Sequence, residues 1–93
     1  MNFEFDRAKS ELCLLERGFD FAYAAHAFLD AQRVVQMDTR YDYGESRFVL
    51  LGMVQKRLFS LVYTPRGDAL RIISARKANA RERKRYDGYQ DQS

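Results

Sequence analysis

The sequence predicts an α+β fold with the element order β-α-α-β-β-β-β-α, and three observations carry that prediction. Two helix starts with their stops fall before residue 30, the apolar period changes from helical to strand spacing near residue 33, and a basic helical segment closes the chain. Ninety-three residues, 46% hydrophobic and 14% aromatic with one Pro, suffice for one small core and exclude disorder through the body of the chain. Residues 1–93 therefore read as a single domain whose tail, 87–93, frays.

"FEF" at 3–5 is short and apolar enough for a strand, and Asp6 stands after it where a helix N-cap belongs. Ala8, Leu12 and Leu15 recur at helical spacing, and Gly18 supplies the left-handed residue that ends such a run, which gives a first helix over 7–17. Asp20 caps a second helix that runs to about Leu29, with Phe19 outside it as a staple and Phe21, Ala24, Ala25 and Phe28 as its apolar face. The short gap between the helices makes them neighbours at a sharp angle.

"RVVQM" from residue 33 is a short strand, and "DTRYDYGES" is a polar turn pivoting on Gly44. "RFVLLGMV", "RLFSLVYT" and "LRIIS" are rich in β-branched and aromatic residues. "QK" and "PRGD" separate them, so they form three sequential antiparallel strands. Ser74 is placed to cap the last helix, whose stripe at 75, 78, 82, 86 and 89 reads Ala, Ala, Glu, Tyr, Tyr and docks lightly.

Composition narrows the function classes. Cys13 and His26 are the only residues of their kinds, so there is no disulfide framework, no metal site and no cofactor motif. The N-terminus lacks a secretory pattern and no apolar run reaches membrane-spanning length, so a cytoplasmic protein without membrane contact is expected. The net charge of +3 is unevenly placed: Arg71, Arg76, Lys77, Arg81, Arg83, Lys84 and Arg85 face only Glu82 before Asp87, which suits a polyanionic or acidic partner.

"FEFDRAK", "RYDYGESRF", "LVYTPRGD" and above all "RIISARKANARERKRY" resemble the BrnT family of small toxins from bacterial type II toxin-antitoxin pairs. The likeness spans Phe3 to Tyr86 in the family's order and spacing. It implies a fold related to the RelE-like ribonuclease toxins: an antiparallel sheet of about four strands, two N-terminal helices packed on it and a C-terminal basic helix. It also implies metal-independent RNA cleavage that inhibits translation. The partner it implies is a BrnA-type ribbon-helix-helix antitoxin, which neutralises the toxin in a hetero-oligomer and alone brings it to operator DNA. In and after the first helix, where the family commonly carries an Asn and a Lys-His-Gly, this chain has Cys13 and Glu16-Arg17-Gly18.

Cleaving RNA without metal requires a base for the ribose 2′-hydroxyl, positive charge for the phosphorane and an acid for the departing 5′ oxygen. The expected catalytic set is Glu45, Tyr63, Arg71, Arg76 and Arg83. Arg71 and Arg76 lead as phosphate ligands, because guanidiniums at a strand end and a helix start can converge on one anion. Arg71 reads equally well as an outward solubilising charge, and the family likeness favours Arg76. Glu45 or Tyr63 would assist proton transfer. Arg17, Arg40, Arg47, Arg66, Lys77 and Arg81 are the expected RNA-binding cations, and Tyr41 and Tyr43 the exposed stacking pair. Glu82 reads as an ion-pair partner, His26 as a partly buried ring and Cys13 as apolar filler. The same basic strip suits a non-catalytic module that grips nucleic acid or an antitoxin, and the edge at "RVVQM" could accept a partner strand.

Overall fold

In the computed structural model, which describes residues 1–90, one mixed sheet runs in the order β1-β5-β4-β3-β2. Its strands are β1 (Asn2–Phe5), β2 (Val34–Met37), β3 (Phe48–Val54), β4 (Arg57–Arg66) and β5 (Ala69–Lys77). β2 to β5 form an antiparallel meander, as the turn residues between them demand. β1 instead lies parallel to β5, with Phe3 beside Leu70 and Phe5 beside Ile72. The expected antiparallel sheet of about four strands is thus corrected to five strands of mixed direction. No tight turn ties β1 to its neighbour, so the direction of pairing is left to the long connection through the rest of the chain.

The helical layer begins as its caps direct. In α1 (Arg7–Arg17), Asp6 Oδ1 accepts from the Lys9 amide at 3.1 Å, and Gly18 closes the helix at φ 84°. Asp20 Oδ1 accepts from the Tyr23 amide at 2.9 Å to start α2 (Phe21–Ala24), which tightens into a 3-10 helix over Ala25–Leu29. That segment presses on β3 so closely that a Cβ on Gly52 would stand 2.5 Å from the Ala27 carbonyl oxygen. Phe19, Phe21, Ala24, Ala27 and Phe28 meet Leu50, Phe59, Leu61 and Ile72 from the sheet, and this is the main core. Phe28 joins Phe3 and Tyr63 at ring distances of 4.9 and 5.0 Å.

The leucines that recur at helical spacing along α1 point away from the sheet. Leu15 is 83% exposed and Leu12 53%, whereas Ser10 and Cys13 are buried. The phenylalanines of the following segment already occupy the space above the sheet. α1 meets the layer through its small residues: Ser10 Oγ accepts from the Phe21 amide at 3.0 Å, and the Cys13 thiol reaches the Ala75 carbonyl at 3.6 Å.

α3 (Ala80–Gln90) covers part of the opposite face, where Tyr86 packs on Val34, Leu51 and Leu58. Ser74 is not its cap, because β5 runs on to Lys77. Asn79 takes that place: its Oδ1 accepts from the Glu82 amide and Glu82 Oε1 accepts from the Asn79 amide, both at 2.9 Å, a reciprocal capping box. The tail expected to fray from residue 87 is helical to Gln90, and 91–93 lie outside the described residues. No helix among the described residues is long and apolar enough to cross a membrane.

The Tyr86 hydroxyl ties α3 to the other layer by donating to Asp30 Oδ2 at 2.6 Å. Asp30 also accepts from the Met53 amide at 2.8 Å and the Gln32 amide at 2.9 Å. Burial works against the Asp30 charge, but the Tyr86 bond, the two amides and the Arg33 charge together hold its carboxyl below the ordinary value. Burial and then the Asp30 bond push the Tyr86 hydroxyl up to about 12.

Two stability tests follow from this packing. Gly52→Ala should cost about 1–3 kcal/mol by forcing β3 and Ala27 apart. Gly88→Ala, in the last turn of α3 with no atom within 4 Å of the new Cβ, should instead stabilise by about 0.5 kcal/mol; urea midpoints measure both. Because folding depresses the Asp30 pKa, its contribution is full above the ordinary value of 3.8 and is lost as pH falls below it. Tyr86→Phe should therefore lower stability at neutral pH by about 1–3 kcal/mol and flatten the acid limb of a stability–pH curve.

Candidate functional site

Side chains of β3, β4 and β5 alternate between the two faces, but β5 carries a bulge: Val62 pairs with Ser74 and Tyr63 with Ile72, leaving Ile73 as the extra residue. The bulge changes the parity of the strand, so Arg71 and Arg76 share the face opposite the helical layer. Five residues of strand still separate them by about 16 Å. Arg71 reaches Glu4 whereas Arg76 reaches Glu82 in the cleft, so the expected convergence on one site is not formed.

On that face a cleft of about 380 Å³ opens between α3 and the segment 36–40. Val49, Ser60, Val62 and Ser74 line its sheet side, and Arg40, Arg76 and Arg85 are its cations. Arg76 Nη1 and Nη2 donate to Glu82 Oε1 and Oε2 at 2.8 and 2.9 Å, which raises the guanidinium's pKa against the opposing effects of burial and of the Arg40 charge. Burial penalises the Glu82 charge, yet Arg76, the Asn79 amide and the Ser60 hydroxyl hold its carboxyl below the ordinary range.

Across the cleft, Arg40 Nε and Nη2 donate to the two oxygens of Asp38, each at 2.9 Å. The Arg40 amide and the Tyr43 hydroxyl complete the carboxylate's shell at 3.2 and 3.1 Å. Arg40's fork is the largest reason that Asp38, buried as it is, stays far below the usual carboxylate range. Arg85 has no hydrogen-bond or ion-pair partner among the described residues. Three guanidiniums thus meet two carboxylates, and the cleft keeps a net positive charge.

A second concavity, of about 370 Å³, lies in the 37–47 loop and shares Asp38, Thr39 and Arg40 with the first. Here Glu45 Oε2 accepts from Arg47 Nε at 3.0 Å, and the Arg47 guanidinium lies 4.0 Å above the Tyr43 ring. Tyr41, 70% exposed, stands edge-on to Tyr43. An alternating row of charge continues from there along the sheet: Arg66 lies 3.8 Å from both Glu45 and Glu4, and Arg71 is 3.5 Å from Glu4.

Of the residues expected at the site, Arg40 and Arg76 meet in the cleft, while Glu45 and Arg47 sit in the adjoining concavity. Arg66 and Arg71 belong to the charged row. Tyr63 is on the other face, stacked on Phe48 and edge-on to Phe28, where burial raises its hydroxyl pKa. Arg83 pairs with Asp87 at 3.2 Å along α3, and Arg81 is exposed on the same helix. Arg17 and Lys77 line separate hollows on the helical side. His26 is exposed rather than partly buried, its Nδ1 3.0 Å from the Tyr23 carbonyl oxygen. Burial pushes the Cys13 thiol up. Among the described residues no three His, Cys, Asp or Glu side chains gather as metal ligands.

Sequence reasoning left out Arg85 and Asp38. For Arg85 a signal existed: "NARE" is a capping-box pattern, and a helix starting after Asn79 sets Glu82 and Arg85 on one side at i, i+3. For Asp38 there was none, since its two-residue reach to Arg40 depends on the loop's path.

A protein-family model described as the ribonuclease toxin, BrnT, of type II toxin-antitoxin system matches residues 5–82. The matched segment includes Asp38, Arg40, Arg76 and Glu82 and stops short of Arg85. No curated protein matches the chain.

Asp38 holds the border between the two concavities, so its loss should be felt locally. Asp38→Asn should speed amide hydrogen exchange across residues 38–47 at neutral pH and leave the β4–β5 amides near wild type, since no ladder bond of that hairpin involves the loop.

Proposed function

The chain belongs to the BrnT family of ribonuclease toxins of type II toxin-antitoxin systems, and from that premise we propose that the cleft between α3 and segment 36–40 is its site of RNA cleavage. The surplus of guanidinium over carboxylate in the cleft carries this reading. A phosphorane gains a second negative charge as it forms, and fixed cations in a half-enclosed site stabilise that charge more than the ground state. This is the role a divalent ion has in other nucleases, so the proposed reaction is metal-independent.

In the proposed reaction the ribose 2′-oxygen attacks the adjacent phosphorus while the bond to the 5′ oxygen breaks, giving a 2′,3′-cyclic phosphate and a free 5′-hydroxyl. Arg76, Arg85 and Arg40 hold the non-bridging oxygens. Glu45, in the adjoining concavity, takes the 2′-hydroxyl proton, the departing 5′ oxygen takes a proton from solvent water to become the 5′-hydroxyl, and Tyr41 offers a face on which a base stacks. Arg66 and Arg71, alternating with Glu45 and Glu4 along the sheet, offer further contacts for the RNA backbone. Tyr63, packed among phenylalanines on the other face, has no part in this scheme.

We place the fold with the RelE-like toxins and the action in the cytoplasm, on the RNA of translation. The partner is a BrnA-type ribbon-helix-helix antitoxin, joined to the toxin as a hetero-oligomer and bringing it to operator DNA. Two surfaces support a protein partner: the exposed leucines of α1, and the edge strand β2 with its exposed Val35 and Met37. The second reading, a non-catalytic basic module, draws on the carboxylates that hold Arg71, Arg76 and Arg83.

Incubating the chelator-treated protein with total RNA separates the two. Fragments ending in cyclic phosphate are expected. Arg76→Ala and Arg85→Ala should each slow their release by about 10²–10³-fold, and Arg83→Ala and Tyr63→Phe by far less. Binding of RNA that stays intact would favour the non-catalytic module.

A further inference from the structure

The Arg76–Glu82 pair poses a question that the proposed cleavage leaves open: whether Glu82 competes with the phosphate for Arg76 or prepares Arg76 to receive it. We propose that Glu82 is a positioning residue, clamping the Nη end of Arg76 so that the Nε edge of the same guanidinium is held ready for a phosphodiester. This rests on the cleft being the RNA site.

A donor count supports it. A guanidinium has five N–H groups in a rigid plane. In Arg76, Nη1 gives one to Glu82 Oε1 and one, at 3.4 Å, to the Lys77 carbonyl, and Nη2 gives one to Glu82 Oε2. The Nε–H and the second N–H of Nη2 remain without partners among the described residues. They lie side by side on one edge, the geometry that takes two phosphate oxygens at once. Arg76 can therefore hold a carboxylate at its end and a phosphate at its side together.

Glu82 is also a poor group to displace. Its side chain is only 12% exposed, against 47% for Arg76. Oε1 accepts from the Asn79 amide as well as from Nη1, and the Ser60 hydroxyl is beside the carboxylate. A phosphate that evicted Glu82 would break the capping box of α3 as well as the fork, whereas one that used the free edge would break neither.

Glu82→Gln tests this, because Gln at that position preserves a capping box while its amide NH2 cannot accept the second bond of the fork. Cleavage by Glu82→Gln should lose about 10–100-fold in kcat with KM changed little, the loss expected when a supporting partner of a reacting group is removed. Asn79→Ala weakens the cap but keeps the fork, so it should lower Tm and leave kcat near wild type. Equal loss of kcat in both variants would reduce Glu82 to a helix cap, and faster cleavage or tighter RNA binding by Glu82→Gln would make it a competitor; each overturns the proposal. Nitrogen-15 spectra of Arg76 give a readout without turnover. The two Nη signals should be resolved in the wild type and averaged in Glu82→Gln, and an RNA made uncleavable by one 2′-deoxy sugar should shift Nε while Nη stays resolved. Averaging of Nη by that RNA overturns the proposal. Should the wild type cleave no RNA, the proposed function falls by that result alone, and the Nη spectra still decide the part played by Glu82.

Discussion

The bond from Tyr86 to Asp30 is the constraint on which the face that carries the cleft depends. Among the described residues α3 is the only helix on its side of the sheet, and apart from Tyr86 its surface is largely charged, so burial alone gives it little purchase. Tyr86 supplies both the apolar contact, on Val34, Leu51 and Leu58, and the directional one, to a carboxylate already committed to two backbone amides. With that point held, and the first turn held by Asn79 and Glu82, the helix can stand off the sheet between them and leave a cleft.

The charges of this face are arranged to be strong without being rigidly neutral. Asp38 and Glu82 each take two bonds from one guanidinium, which fixes where the cation sits without consuming all its donors. Arg85, with no such partner, tips the balance toward positive. In both pairs the carboxylate is largely buried and the guanidinium more exposed, so each pair sets its cation at the border of the cleft. The phenylalanine-rich layer on the other face carries the packing.

Much of the fold was legible in the chain. Asp6, Gly18 and Asp20 announced the first helices through local chemistry that acts within four residues, and β2 to β5 followed from alternation and turn residues. What failed was non-local. Nothing near "FEF" says that its partner is the last strand or that the two run parallel. The leucine stripe of α1 has a core face's spacing, and only the crowding of Phe19, Phe21 and Phe28 above the sheet turns it outward. At the site, Arg76 and Arg40 were among the expected cations and Glu82 was read as an ion-pair partner, as it is; which cation each carboxylate holds depends on the length of β5 and the path of the 38–43 loop. The helix starts after Asn79 rather than Ser74, yet the expected stripe holds at Glu82 and Tyr86, which both face inward.

The extra residue at Ile73 gives β5 two side-chain frames, one running from Ala69 to Ile72 and the other from Ser74 onward. Changes of identity at this point leave both frames intact, whereas a change of length does not. Deleting one residue there would preserve a continuous strand and yet turn Ser74 and Arg76 into the phenylalanine layer while sending Ala75 to water. Descendants of this chain are therefore free to vary the letter at position 73 but not to drop it, and an indel at that spot would dismantle the cleft with every one of its residues still encoded.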